Sequence, residues 1–339
     1  MQGRRRRRQR ESYVRHLRFI VLIAGASAGL WASSGFSAEL LDRVKERKTV
    51  TCAAVERPGL AKIFRGVWRG MFLDYCRAIA LAAAGAEAKY EFFQLETPLQ
   101  YDKARSGEAD VLFVTGAELF EHDLAGAVLP GPVVYLQTHA ALVEETSPIR
   151  KLDDIADKTV CFLQTSYSTR SLEDWLTRNK LNVLRAPFEE PVELLDAFNV
   201  RRCAVTVGEE TELAEIRARK GVQRFSSRIL PEKLAVFPIF AATPAKDPQW
   251  SAIVSYTIMA LQAAERPETD WSLGGVKAFP LDGSKIGLDK DWRTRVVDAV
   301  GSHAAIYDRN LGDQSPFRLP RGVDALWSGG GLSAPAYAQ

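Results

Sequence analysis

The sequence predicts an α/β protein built from two similar lobes joined by two crossing strands. Three observations carry that expectation. A strand–helix–strand–helix–strand pattern is written twice, two long hydrophobic strands separate the copies, and the four cysteines fall two to each copy.

The first copy opens at KTVTCAAV (48–55), a β-branched strand, and continues into the helical stretch GMFLDYCRAIALAAAG (70–85). A strand, KYEFFQL (89–95), a helix, PLQYDKARSGE (98–108), and the strand ADVLFV (109–114) complete it. The second copy repeats the order with KTVCFLQ (158–164), STRSLEDWLTRNK (168–180), LNVLRA (181–186), PVELLDAFNV (191–200) and CAVTV (203–207). This alternation is the spacing of parallel βαβ units. Each copy closes with an apolar strand that enters an acid-rich turn, VTGAELFE (114–121) in the first and VTVGEETELAE (205–215) in the second.

Between the copies, GPVVYLQTHAALV (131–143) crosses toward the second lobe and LAVFPIFAAT (234–243) crosses back. The remainder, from about 244, reads as mainly helical and rejoins the first lobe. The expected division is therefore 39–138 with 244–339 as lobe 1 and 139–243 as lobe 2. Two strands crossing between lobes make a hinge, and the cleft beside it is the expected place for a small molecule.

The chain begins with MQGRRRRRQRESYVRHLR and continues into the apolar, small-residue run FIVLIAGASAGLWASSGFSA (19–38). That sequence of properties predicts a signal peptide over 1–38, cut after Ala38, Ser34 or Ser37, with an uncleaved anchor as the alternative. It also relocates the charge. Residues 1–38 hold eight arginines and one acid, so the remainder carries 45 − 8 = 37 bases and 42 − 1 = 41 acids. The formal net charge of +3 becomes −4, and nothing basic remains to argue for nucleic acid. An exported chain with an even cysteine count favours disulfides over free buried thiols. Pairing within lobes, Cys52 with Cys76 and Cys161 with Cys203, leaves the hinge free to move. There is no CxxC or Cys/His cluster, so no metal is expected.

LLDRVKERKTVTC (40–52), LDYCRAIA (73–80), SGEADVL (106–112), LDDIADKTVC (152–161) and the tail from IGLDKDW to LWSGGGL (286–332) carry a family resemblance. The chain resembles the periplasmic solute-binding proteins of amino-acid ABC transporters (family 3), and within them the general L-amino-acid-binding branch. The resemblance implies a type II periplasmic-binding-protein fold in the periplasm, no cofactor, a monomer, and delivery of a small ligand to an ABC permease.

It also implies a set of ligand positions, at which this sequence departs from the family pattern. The family's carboxylate-binding arginine falls in the turn after the ADVL strand, where this sequence has His122, and a neutral imidazole is a poor bidentate partner for a carboxylate. Neighbouring hydroxyl positions read Phe113, Gly116 and Ala117, and Thr115 alone is kept. In the second lobe the matching loop is Thr165, Ser166, Tyr167 and Ser168, and the acid that meets the ligand ammonium matches Glu209. The aromatic near the first strand is replaced by Leu60, and an acid at the first long helix by Phe72.

The expected ligand residues are thus Thr115, His122, Thr165, Ser166, Tyr167 and Glu209. The expected ligand is amino-acid-like or amine-bearing and is not a typical α-amino acid. The alternative is an accessory protein with an eroded site, partnered with a periplasmic quinoprotein (PQQ-dependent) alcohol dehydrogenase. Outside the expected signal peptide there is no GxSxG, HExxH or glycine-rich phosphate loop that would call for an enzyme.

Overall fold

The computed structural model describes residues 39–122, 124, 126–219, 224–265, 272–273, 276–277 and 283–333. The signal peptide expected over 1–38 lies outside these. A short helix, α1 (Glu39–Arg47), leads into β1 (Thr49–Ala54). A hairpin, β2 (Lys62–Phe64) and β3 (Val67–Arg69), precedes α2 (Met71–Ala84), and then β4 (Lys89–Gln94), α3 (Pro98–Ser106) and β5 (Val111–Thr115) complete the first copy. After α4 (Gly116–Glu121) and β6 (Val128–Leu129) comes the long strand β7 (Val133–Glu144). The second copy is β8 (Thr159–Leu163), α5 (Tyr167–Asn179), β9 (Leu184–Phe188), α6 (Pro191–Asn199) and β10 (Val205–Glu209). It is followed by α7 (Glu210–Ala218), β11 (Ser227–Ile229) and the returning strand β12 (Ala235–Pro244). The rest contributes α8 (Pro248–Ala263), the small pair β13 (Ser272–Leu273) and β14 (Val276–Lys277), α9 (Trp292–Val300) and α10 (His303–Asn310).

The ten-stranded sheet runs β4-β1-β5-β12-β7-β10-β8-β9, with β6 and β11 at its side. Its outer strands are parallel: β1 with β4 and β5, and β8 with β9 and β10. Such pairs need a crossover connection, and a helix supplies each one, as the repeated pattern requires. At the centre β12 and β7 run antiparallel, from Ala235 opposite His139 to Ile239 opposite Tyr135. Beyond that overlap each goes to a different half. β12 continues against β5, and β7 continues against β10. These two segments are the crossing strands read from the sequence.

Apolar faces of the crossover helices bury against the sheet. In the first lobe α2, α8 and α9 bring Ile79, Ile253, Trp250 and Trp292 into one core, and the Trp250 indole N–H donates to the Asp110 carbonyl at 2.8 Å. In the second, Val160, Leu172, Leu176 and Val205 form a smaller core. Trp327 is exposed.

Both disulfides join a strand to an element packed beside it. Cys52 of β1 bonds Cys76 of α2, and Cys161 of β8 bonds Cys203 at the entry to β10. The second closes a loop with a sequence separation of 42, which the chain-entropy argument converts to about 4 kcal/mol. Replacing Cys161 and Cys203 together by alanine is expected to lower unfolding stability by about that amount in urea titration. An unchanged midpoint would show that this bridge adds nothing to the packing around it.

Candidate functional site

Arg57 organises the cleft. It leaves β1 in the loop Glu56–Ala61, at the carboxyl end of the strand, where α/β proteins present ligand groups. The loop is tight: the Arg57 and Ala61 amides donate to each other's carbonyls at 2.8 and 3.0 Å, and the Met71 and Phe72 amides at the start of α2 donate to the Gly59 and Leu60 carbonyls. Gly59 turns with φ +74°, and a Cβ there would sit 2.3 Å from the Leu311 side chain, so only glycine fits the turn. The arginine side chain is 4% exposed. Its Nη2 donates to Glu118 at 2.8 Å and its Nε to Glu209 at 3.2 Å. Burial alone would push the guanidinium down in pKa, and Glu118, Glu209 and Glu212 together overcome this and hold it firmly charged.

Each lobe presents an acid to Arg57 from a helix start. The segment read as a polar turn after β5 is helix α4, and Thr115 caps it. The Thr115 hydroxyl accepts from the Glu118 amide at 3.2 Å, while the Glu118 carboxylate accepts from the Thr115 amide at 2.7 Å. This is a capping box, threonine at the cap and glutamate three residues on, which satisfies two orphan amides at the helix start. In the second lobe Glu209 stands at the cap of α7, and Glu212, three residues on, accepts a hydrogen bond from the Glu209 backbone. Arg57 therefore lies between two helix starts, bonded to the third helical residue of one and the capping residue of the other.

Further polar contacts join the lobes. Lys62 of β2 reaches both Glu215 carboxylate oxygens at 2.9 Å, and the Tyr167 hydroxyl at the start of α5 donates to Glu121 of α4. Among the described residues the lobes are drawn together by Arg57–Glu209, Lys62–Glu215, Tyr167–Glu121 and Arg170–Glu121, and by Arg217 of α7, which donates to the Phe317 carbonyl of the tail at 2.5 Å.

Beside Arg57 is a cavity of about 780 Å3. Its apolar wall includes Leu119, Phe120, Leu129, Phe237 and Phe240. Its floor is formed by the hinge strands, from which Gln137 and His139 enter beside Arg57. All three are almost fully buried, and each keeps one polar atom without a hydrogen-bond partner: Arg57 Nη1, Gln137 Oε1 and His139 Nε2. Buried polar atoms are rarely left unpaired, and these three lie on residues that border one cavity. His139 Nδ1 lies 2.8 Å from the Ser171 hydroxyl. Burial, and then Arg57, push the imidazole down to about 4, so it is neutral at physiological pH.

The residues expected from the sequence separate. Thr115 and Tyr167 line this cavity, and Glu209 is ion-paired to Arg57 at its edge. Ser166 caps α5 and borders a different, smaller cavity of about 290 Å3 beside Glu212. Thr165 is exposed in the turn before α5. His122 lies at the far end of α4, where its ring stacks on Tyr101 at 3.6 Å between centroids, and it is not among the cavity residues. Leu60, Phe72 and Phe113 are all fully buried. Phe72 and Phe113 stack on one another at 4.7 Å with planes 12° apart, which joins two departures from the family pattern into one core contact. Arg57, Gln137 and His139 went unread. The available signal was a cation following an apolar strand in AAVERPGL (53–60), and the polar run Gln137, Thr138 and His139 within an otherwise apolar crossing strand.

Two α/β lobes, a pair of crossing strands and a polar cleft define a type II periplasmic-binding-protein fold. The chain is a homologue of the solute-binding proteins of amino-acid ABC transporters. It is 28% identical over 333 residues to the general L-amino acid-binding periplasmic protein AapJ of Rhizobium johnstonii, covering 92% of this chain and 94% of that one. It is 27% identical over 329 residues to the glutamate/glutamine/aspartate/asparagine-binding protein BztA of Rhodobacter capsulatus, with the same coverage of 92% and 94%. Among solved structures, a periplasmic binding protein from Brucella ovis with glutathione bound superposes with a TM-score of 0.69 at 24% identity, over 89% of this chain and all of that one. No protein-family model matches the chain.

Glu212 gives the site a pH signature. Burial first, and then Glu209, push its carboxyl up to about 7 against the pull of Arg57. The folded state therefore holds a proton that the unfolded chain releases near pH 4.5, and stability falls as pH rises from about 4.5 to about 7. Glu212→Gln is expected to flatten that slope and to be more stable than the wild type above pH 7, by on the order of 1–3 kcal/mol. Melting curves across pH 4–8 check this, and parallel wild-type and variant profiles would contradict it.

Proposed function

We propose that the chain is a periplasmic solute-binding protein that takes a small organic molecule into the cleft beside Arg57 and delivers it to an ABC permease. The observation that carries this reading is the set of three unpaired polar atoms, on Arg57, Gln137 and His139, around a cavity floored by the hinge strands. A molecule seated there touches both lobes and both crossing strands, so its binding energy favours the closed arrangement. In this reading the moving bodies are 39–138 with 244–339 and 139–243, the protein acts as a monomer, and residues 1–38 direct export. The relatives named above bear the names of binding proteins for amino acids, which supports an amino-acid-like or amine-bearing ligand here. They give no support to the alternative of a partner for a quinoprotein dehydrogenase.

Capture is testable by mass action. A melting-temperature screen against amino acids, their amides, amines, carboxylates and small peptides is expected to find a compound that stabilises the protein by about 2.7 kcal/mol at a hundred times its Kd. The stabilisation is expected to be lost in Arg57→Met. A ligand whose effect survives that substitution binds elsewhere, and no stabilising compound in the whole screen would defeat the capture reading.

A further inference from the structure

The charge balance around Arg57 restricts what the cleft accepts. Two carboxylates, Glu118 and Glu209, already bond its one guanidinium, so the cluster carries an excess of negative charge. At the mouth, Arg170 and Asp174 of α5 both line the cavity, and Arg170 lies 4.0 Å from Glu121, so the three together add one more net negative charge. A carboxylate ligand would be a third anion on Arg57, in a buried setting where like charges repel strongly. An uncharged carbonyl oxygen meets no such repulsion and still accepts from Arg57 Nη1. Gln137 Oε1 is a free acceptor, which a ligand N–H satisfies.

The rest of the cavity is apolar. Phe237 stands across from Gln137 in the β7–β12 pairing and packs on His139 at 4.9 Å between ring centroids, and Phe120 and Leu129 expose their side chains toward the opening. A volume of about 780 Å3 is in the range that clefts use for drug-sized organic molecules, roughly 300–1,000 Å3, and exceeds what a free amino acid fills.

Resting on the solute-capture reading, we infer that the cleft selects a neutral or cationic molecule with an amide or amine head and an aryl or alkyl body, and discriminates against carboxylates. The head carbonyl accepts from Arg57 Nη1, the head N–H donates to Gln137 Oε1, and the body lies against Phe237, Phe120 and Leu129.

Calorimetric titration of the full chain with four probes that share one body tests this: phenylalaninamide, phenethylamine, phenylalanine and 3-phenylpropanoate. Phenylalaninamide is expected to bind at least tenfold more tightly than phenylalanine and 3-phenylpropanoate, with phenethylamine between them. Gln137→Leu is expected to weaken phenylalaninamide about tenfold without lowering the melting temperature, because it removes an acceptor that the free protein leaves unpaired. Glu209→Gln, which removes one of the two acids on Arg57, is expected to narrow the gap between amide and carboxylate.

Carboxylates binding as tightly as the amide, unchanged amide affinity in Gln137→Leu, or no binding by any of the four probes would each overturn the inference. Tight binding of an ordinary α-amino acid would overturn it while leaving solute capture intact. Capture itself fails only on the broad screen.

Discussion

The bonded group Glu118–Arg57–Glu209 is the constraint on which the cleft depends. A guanidinium buried to this extent is tolerable only when paired and hydrogen-bonded, and its partners come from the two lobes. Breaking such a pair from one side costs about 3–5 kcal/mol, because charge is left buried without a partner. The bonds to Glu118 and Glu209 thus join the two lobes through one buried ion. The guanidinium is left with the N–H groups of Nη1 to offer a guest.

The helix starts on either side keep this arrangement in place. Glu118 and Glu212 are each folded back on the cap of their own helix, so they are oriented before Arg57 arrives. Helix starts favour negative charge, which strengthens the hold on both acids. The floor is just as constrained. Gln137 and His139 belong to a strand that pairs with β12 along the crossing and then with β10, so neither can shift without disturbing the sheet. Flexibility is left to the relation between the lobes.

Much of this fold was legible in the sequence because βαβ spacing and apolar periodicity are local properties. The two copies, the crossing strands and the cysteine pairing all rest on such local signals. The site was legible only in part. Thr115, Tyr167 and Glu209 could be placed because they sit at strand ends or helix starts, where position along the chain fixes position in the fold. His122 was placed by its match to a family arginine, but α4 turns it away onto Tyr101. The Thr115–Glu118 capping box was visible as threonine followed three residues later by glutamate, yet the segment read as a turn because only six residues are helical. Arg57 was hidden for a different reason. Its role depends on Glu118, 61 residues away, and Glu209, 152 residues away, and no periodicity reports such long-range meetings. The pairing of Phe72 with Phe113 was hidden in the same way. Two changes in separate segments became one stacked contact only when the fold brought them together.

The ion pair that joins the lobes through Arg57 is expected to hold the cleft in the closed arrangement before any ligand binds. Small-angle X-ray scattering of the ligand-free protein tests it most directly when wild type is compared with Arg57→Met. The account predicts that wild-type scattering matches the closed structure and that the variant shows a larger radius of gyration while remaining folded. Indistinguishable profiles, or a wild type that is already open, would contradict it.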